Sequence, residues 1–220
     1  MSAQPTPSRP DAARRSSTMQ KRTSLLPKPS SVVLDPSVLI AQHAQLTGTH
    51  PITVGPYAVL HPHSKISSSL APVVLGEGVI LHERAKVGAG SADSPGPPSS
   101  RPTSISMSSR GEGTVLGRNV VIEANSIVEA NEIGEGTLVG VGAVIGRGCI
   151  LGRFCTVSAS SFIPPNTHIP DFTVVYGAGE RRMDRTLQAR TEMQDMKIAV
   201  HAKQLEAFRK LVPNNISKWA

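Results

Sequence analysis

"IGEGTLVGVGAVIGRGCILGRFCTV", residues 133–157, returns an aliphatic residue every six positions, at Ile133, Val139, Ile145, Leu151 and Val157. The residue after each is Gly134, Gly140, Gly146, Gly152 and then Ser158. A helix repeats near 3.6 residues and a strand at two, so a sustained six predicts short strands broken by corners. Upstream the series runs through Leu116, Ile122 and Val128, with one five-residue step to Ile133; downstream it continues to Ile163, Ile169 and Val175. Four residues after most anchors sits a small or β-branched residue, as at Val120, Ser126, Ala143, Cys149 and Cys155.

An earlier half keeps the same beat less cleanly, at Leu34, Ile40 and Leu46, again at Val54, Leu60 and Ile66, and again at Leu75, Leu81 and Val87. Its interruptions fall where Pro, Ser and Gly cluster, as loops should. Anchor and small residue share parity along a strand and therefore one side, the inside. The chain is thus expected to wind as a triangular prism of three six-residue sides per turn. About seven coils at about 4.8 Å spacing would make it about 34 Å long. Gly, Asn or Asp beside the anchor is read as the corner residue, tolerant of left-handed backbone angles. The eight anchors from Ile133 to Val175 are the predicted structural core. The two prism ends would be open edges that need a cap or a partner.

Composition agrees with a narrow core. Aromatic residues make up 3% of the 220, beside 19 Gly and 18 Pro, so the interior must be built from Val, Ile, Leu and Ala. No apolar run is long enough to span a membrane and no apolar signal segment opens the chain; with only Cys149 and Cys155 it reads as cytoplasmic. The net charge of +7 is concentrated at the ends: six basic and one acidic residue in 1–30, nine and four in 181–220, against eight and eleven between them. No stacking aromatics accompany the basic ends, which disfavours nucleic acid as a partner.

The hexads resemble those of hexapeptide-repeat proteins, whose fold is a left-handed parallel β-helix; the handedness is what the resemblance implies. The resemblance covers residues 32–178. It also implies three kinds of function: acyl transfer, γ-class carbonic anhydrase chemistry, or a non-catalytic subunit. A carbonic anhydrase of this fold binds zinc through three shared histidines. Here His61 and His63 lie two apart and His82 a coil later, and they are read as solvent-facing corner side chains. An acyltransferase would carry a catalytic histidine on a projecting loop. The Ser/Pro/Gly-rich stretch 88–113 is read as a flexible loop and has none. Cys149 and Cys155 are read as core fillers, and Glu123, Glu129 and Glu135 as solvated corner residues. No catalytic, metal-binding or cofactor-binding residue is assigned.

Residues 1–30 read as a disordered basic tail, with a mitochondrial presequence and basophilic kinase sites as competing readings. Residues 182–212 read as a helix ending at Pro213, followed by a tail 213–220. Its face with Met193, Met196, Val200, Ala207 and Leu211, broadened by Leu205 and Phe208, is expected to pack on the prism.

The blocks "ITVGPYAVLHP" and "VVYGAGERR", the helix and the "LVPNN" that follows resemble the dynactin subunit 6 family, while the basic extension before Ser31 departs from it. That resemblance implies a non-catalytic, cytoskeleton-associated subunit of the pointed-end subcomplex, supporting dynein cargo attachment and microtubule-based transport. The partners implied are dynactin subunit 5, dynactin subunit 4 and the pointed-end actin-related protein, and no cofactor is called for. The alternatives are a mitochondrial γ-carbonic-anhydrase-like protein and a hexapeptide acyltransferase using a coenzyme A donor.

Overall fold

The computed structural model describes residues 31–88 and 113–219. The expected tail 1–30 and nearly all of the expected loop lie outside the described residues. The chain is a left-handed parallel β-helix, a triangular prism of three sheets with seven, eight and six strands. Each wall is built from every third hexad. In the first wall the anchors stack as Leu34, Val54, Leu75, Leu116, Ile133, Leu151 and Ile169. The second wall stacks Ile40, Leu60, Leu81, Ile122, Val139, Val157 and Val175. The third stacks Leu46, Ile66, Val87, Val128, Ile145 and Ile163. The anchors from Ile133 to Val175 all lie in one buried core cluster, together with the thiols of Cys149 and Cys155. Those thiols donate to the carbonyls of Pro164 and Pro170, each at 3.1 Å.

The corner chemistry differs from the expectation. The left-handed residue is three places after the anchor: Asn119, Asn125, Gly136, Gly142, Gly148, Phe154, Ser160, Asn166 and Phe172 all have positive φ. The glycine directly after the anchor has another cause, the close approach of adjacent coils. A Cβ on Gly134 would lie 2.5 Å from the carbonyl carbon of Gly152 and 2.6 Å from the backbone nitrogen of Arg153, neither of which is a side chain that can swing aside. Gly134→Ala is expected to cost about 1–3 kcal/mol, as overpacking does, read from the denaturant midpoint at unchanged m.

Both prism ends receive cover from the C-terminal part of the chain. A strand Glu180–Met183 turns back antiparallel on Thr173–Tyr176 and closes the last coil of the second wall. The helical stretch read as 182–212 is divided: Arg182 and Met183 belong to that strand, and two helices follow, α1 (Arg185–Ala189) and α2 (Thr191–Leu211). Asp184 caps α1, its Oδ1 accepting from the Leu187 N–H at 2.9 Å. Helix α2 then runs back along the second wall to the first coil. There Asn214 accepts from the Ile40 N–H at 3.1 Å and donates to the Val38 carbonyl at 3.1 Å, while the Asn215 N–H donates to the Ile40 carbonyl at 2.7 Å. Ile216 and Trp219 pack against the open end of the core. Unpaired strand edge and apolar end are thereby covered by the chain itself.

Of the face expected to pack, Leu205 and Phe208 meet the wall and the Met196, Val200 and Leu211 stripe beside them does not. Leu205, Phe208 and Val212 pack on the wall row Leu39, Val59 and Ile80, and His201 is the one buried residue of α2. Met196, Val200 and Leu211 face solvent, Val200 at 61% and Leu211 at 77% exposure.

Candidate functional site

The residue following each anchor points along the outside of the prism near a corner. On the second wall this position holds His61, His82 and Glu123 in consecutive coils, tied by the His61 N–H to Leu81 carbonyl and His82 N–H to Ile122 carbonyl bonds, each at 2.8 Å. The reading of His61 and His82 as solvent-facing is corrected here, because α2 roofs this part of the wall. The two rings stack with centroids 4.8 Å apart, and Phe208 stands perpendicular beside them, its centroid 4.5 Å from that of His61 and 5.7 Å from that of His82. His61 is buried and His82 half-buried. His63, at a left-handed corner, stacks instead on His43 at 5.0 Å, away from this group.

Where α2 passes over the next coils it leaves a cleft of about 280 Å³ lined by His82, Glu123, Phe154, Lys197, His201 and Gln204 among others. Burial holds the His82 ring below the ordinary histidine value, with Glu123 and Glu83 partly opposing it. A neutral imidazole at neutral pH is able to accept a proton. Glu123 is itself held in place, its Oε2 accepting from the Val141 N–H at 3.0 Å. Burial likewise pushes the Lys197 ammonium down. That ammonium lies 5.9 Å from the Phe154 ring centroid, and Phe154 in turn stacks on Phe172 at 5.9 Å. His201 donates its Nε2–H to the Gly78 carbonyl at 2.7 Å, which leaves Nδ1 as the ring's acceptor. A base, a carboxylate beside it and a cation thus share one partly enclosed cleft.

Lys197 and His201 were not singled out in the sequence. The available signal was their four-residue spacing on the side that carries Leu205 and Phe208, hidden by the stronger apolar stripe that adjoins it. Among the described residues no group of three His, Cys, Asp or Glu side chains is placed to hold a metal ion. No helix among them is long and apolar enough to cross a membrane.

The repeat and the prism define a parallel β-helix built on six-residue repeats. Residues 108–130 and 131–163 match the family model described as the hexapeptide repeat of succinyl-transferase. A search of curated proteins finds no match. Among solved structures the chain is similar to a Bacillus cereus protein described as an acetyltransferase, with TM-score 0.62 and 16% identity over 82% of this chain and 92% of that one. It is similar to a hexapeptide transferase family protein from Anaplasma phagocytophilum, with TM-score 0.58 and 15% identity over 81% and 97%. It is also similar to a mutant of AntD, an N-acyltransferase from Bacillus cereus in complex with dTDP and coenzyme A, with TM-score 0.52 and 13% identity over 76% and 90%. At these identities the likeness is one of fold.

The expectation that the chain is not an enzyme is corrected by these neighbours. It rested on the dynactin subunit 6 resemblance and on the absence of histidine from the 88–113 loop, yet the structures that share this fold carry transferase names, and His61, His82 and His201 are gathered at α2. The findings reach the hexapeptide-repeat class and do not extend to the dynactin subunit 6 family.

Proposed function

We propose that this chain transfers an acyl group from a thioester such as an acyl-coenzyme A to an amine or hydroxyl acceptor in the cleft beneath α2. The observation that carries this is the half-buried, neutral imidazole of His82 next to Glu123, facing a cleft that also holds Lys197. His82 takes the proton from the acceptor N–H or O–H as that atom attacks the thioester carbonyl. The tetrahedral oxyanion that forms is met by the Lys197 ammonium in a site partly screened from water. As the intermediate collapses the carbon–sulfur bond breaks, and the imidazolium returns its proton to the departing thiolate. Glu123 stabilises the imidazolium while the proton is held.

The pH dependence has a definite sign. Because burial lowers the His82 value, the base is in its active neutral form above the ordinary histidine range and is lost only as pH falls through a lower value. The rate constant kcat/KM is expected to be flat at neutral pH and to decline on the acid side, its midpoint below about 6.5. A pH–rate profile checks this. The experiment that tests the proposal itself is thiol release from acyl-coenzyme A by the full chain against a panel of amines and alcohols.

A second reading is favoured by a separate observation. On the outer row of the first wall Val33 is 57% exposed and Val115 44%, with Val74 and Ile150 also exposed, Thr53 and Glu132 interrupting them in register, and no segment of the described chain covers these four. Such a row suits docking against another rigid protein wall. The row suits an assembly role in general; the partners proposed for it, dynactin subunit 5, dynactin subunit 4 and the pointed-end actin-related protein, and dynein cargo transport as the process served, come from the sequence resemblance alone. Recovery of the tagged full chain in a large complex containing actin-related proteins is the test of this reading.

A further inference from the structure

The contact between α2 and the second wall is built around two histidines that are each more than nine-tenths buried. His61 comes from the wall and is 8% exposed; His201 comes from the helix and is 7% exposed. His61 is closed in by the stacked ring of His82 on one face and by Phe208, which stands perpendicular beside the stacked pair, and its Nε2 is buried with no hydrogen-bond partner. His201 has its Nε2–H on the Gly78 carbonyl, so the wall accepts one proton from that ring and offers the second nitrogen only the cleft. Leu205, Phe208 and Val212, packed on Leu39, Val59 and Ile80, complete the contact.

A neutral imidazole suits both places, and an imidazolium suits neither. Protonated His61 would hold a cationic N–H in an apolar enclosure against a second histidine ring. Protonated His201 would put its charge beside Lys197. The charged groups that face this cluster from the wall are Glu83 and Glu123, and those from the helix are Lys197 and, farther along over Tyr57, Arg209. The two carboxylates act in favour of protonation, but burial outweighs them at both wall histidines.

We propose that α2 is an acid-released latch: on mild acidification His61 and His201 take up protons, and the helix leaves the wall and bares the apolar row Leu39, Val59 and Ile80. The direction follows from linkage. Both rings bind protons less readily docked than undocked, so docking is at full strength above the ordinary histidine value and weakens as pH falls below it. Each histidine shifts the equilibrium by up to about tenfold per pH unit. The proposal is independent of the chemistry assigned to the cleft.

Amide hydrogen exchange on the full chain at pH 7.5 and pH 5.5, corrected for intrinsic exchange, tests it. The α2 amides are expected to lose at least about tenfold in protection relative to the strand amides of Ile145 and Leu151, and a His61→Phe/His201→Gln double variant to lose less than about threefold. Equal protection of α2 at both pH values, a loss in step with the strands, or the same loss in the double variant would overturn the latch. Should the double variant not fold, NMR titration of the wild-type histidines decides: protonation of His61 and His201 coincident with loss of α2 order supports the latch, and protonation with the helix still docked overturns it.

Discussion

Replacing Ile145 by aspartate is expected to leave no folded prism. Ile145 is fully buried in the third wall, between Val128 below and Ile163 above. A carboxylate there has no cation and no water, and even protonated it leaves polar atoms facing an aliphatic interior. The cost is expected to exceed about 4 kcal/mol, close to the lower end of the stabilities of folded domains. A solenoid has no alternative route for its cooperativity, because each coil touches only its neighbours. Ile145→Val, which trims one methyl from the same place, should cost only about 0.5–1.5 kcal/mol. Circular dichroism with denaturant unfolding of both variants separates a charge effect from a merely altered side chain.

The second large effect concerns chemistry. His82→Ala is expected to lower kcat/KM for acyl transfer by about 10²–10⁴-fold, the usual contribution of a positioned general base. Removing the ring also removes one face of the His61 stack, so some loosening of α2 is expected with it. Glu123→Gln distinguishes the two consequences, since it keeps the shape of the side chain and removes the charge that stabilises the imidazolium. It should reduce kcat more than KM and leave the melting temperature nearly unchanged. A loss of stability in His82→Ala with no loss of rate per folded molecule would remove His82 from the mechanism.

Much of the prism was legible because its physics is written once per hexad. Ile133, Leu151 and Ile169 are eighteen residues apart and stack in one wall, and the same arithmetic places Val139, Val157 and Val175 in the next. The corner assignment failed by two positions because glycine has two distinct uses. At Gly134 it admits the neighbouring coil, while the left-handed angle falls on the third residue after the anchor, where Asn119 and even Phe154 accept it.

The helix face was right at Leu205 and Phe208 and wrong at the rest, for a different reason. Counting hydrophobic residues ranks Met196, Val200 and Leu211 above His201, yet the wall has a backbone acceptor at Gly78 and aromatic partners at His61 and His82, and these select His201 and Phe208. The cleft was hidden by the same cause. His82 and Lys197 are 115 positions apart, and only the course of α2 along the second wall brings them together. The end plug was equally invisible, since nothing in "NNISKW" specifies that Trp219 closes the first coil.

The measurement that bears most directly on the account is thiol release from acetyl- and succinyl-coenzyme A by the full chain and by His82→Ala, with amine and hydroxyl acceptors. The account predicts acceptor-dependent, saturable release by the wild type, with the rate of His82→Ala lower by about two orders of magnitude or more. Release no greater than that of His82→Ala with every acceptor, from a protein whose α2 is docked and whose prism is folded, would contradict it.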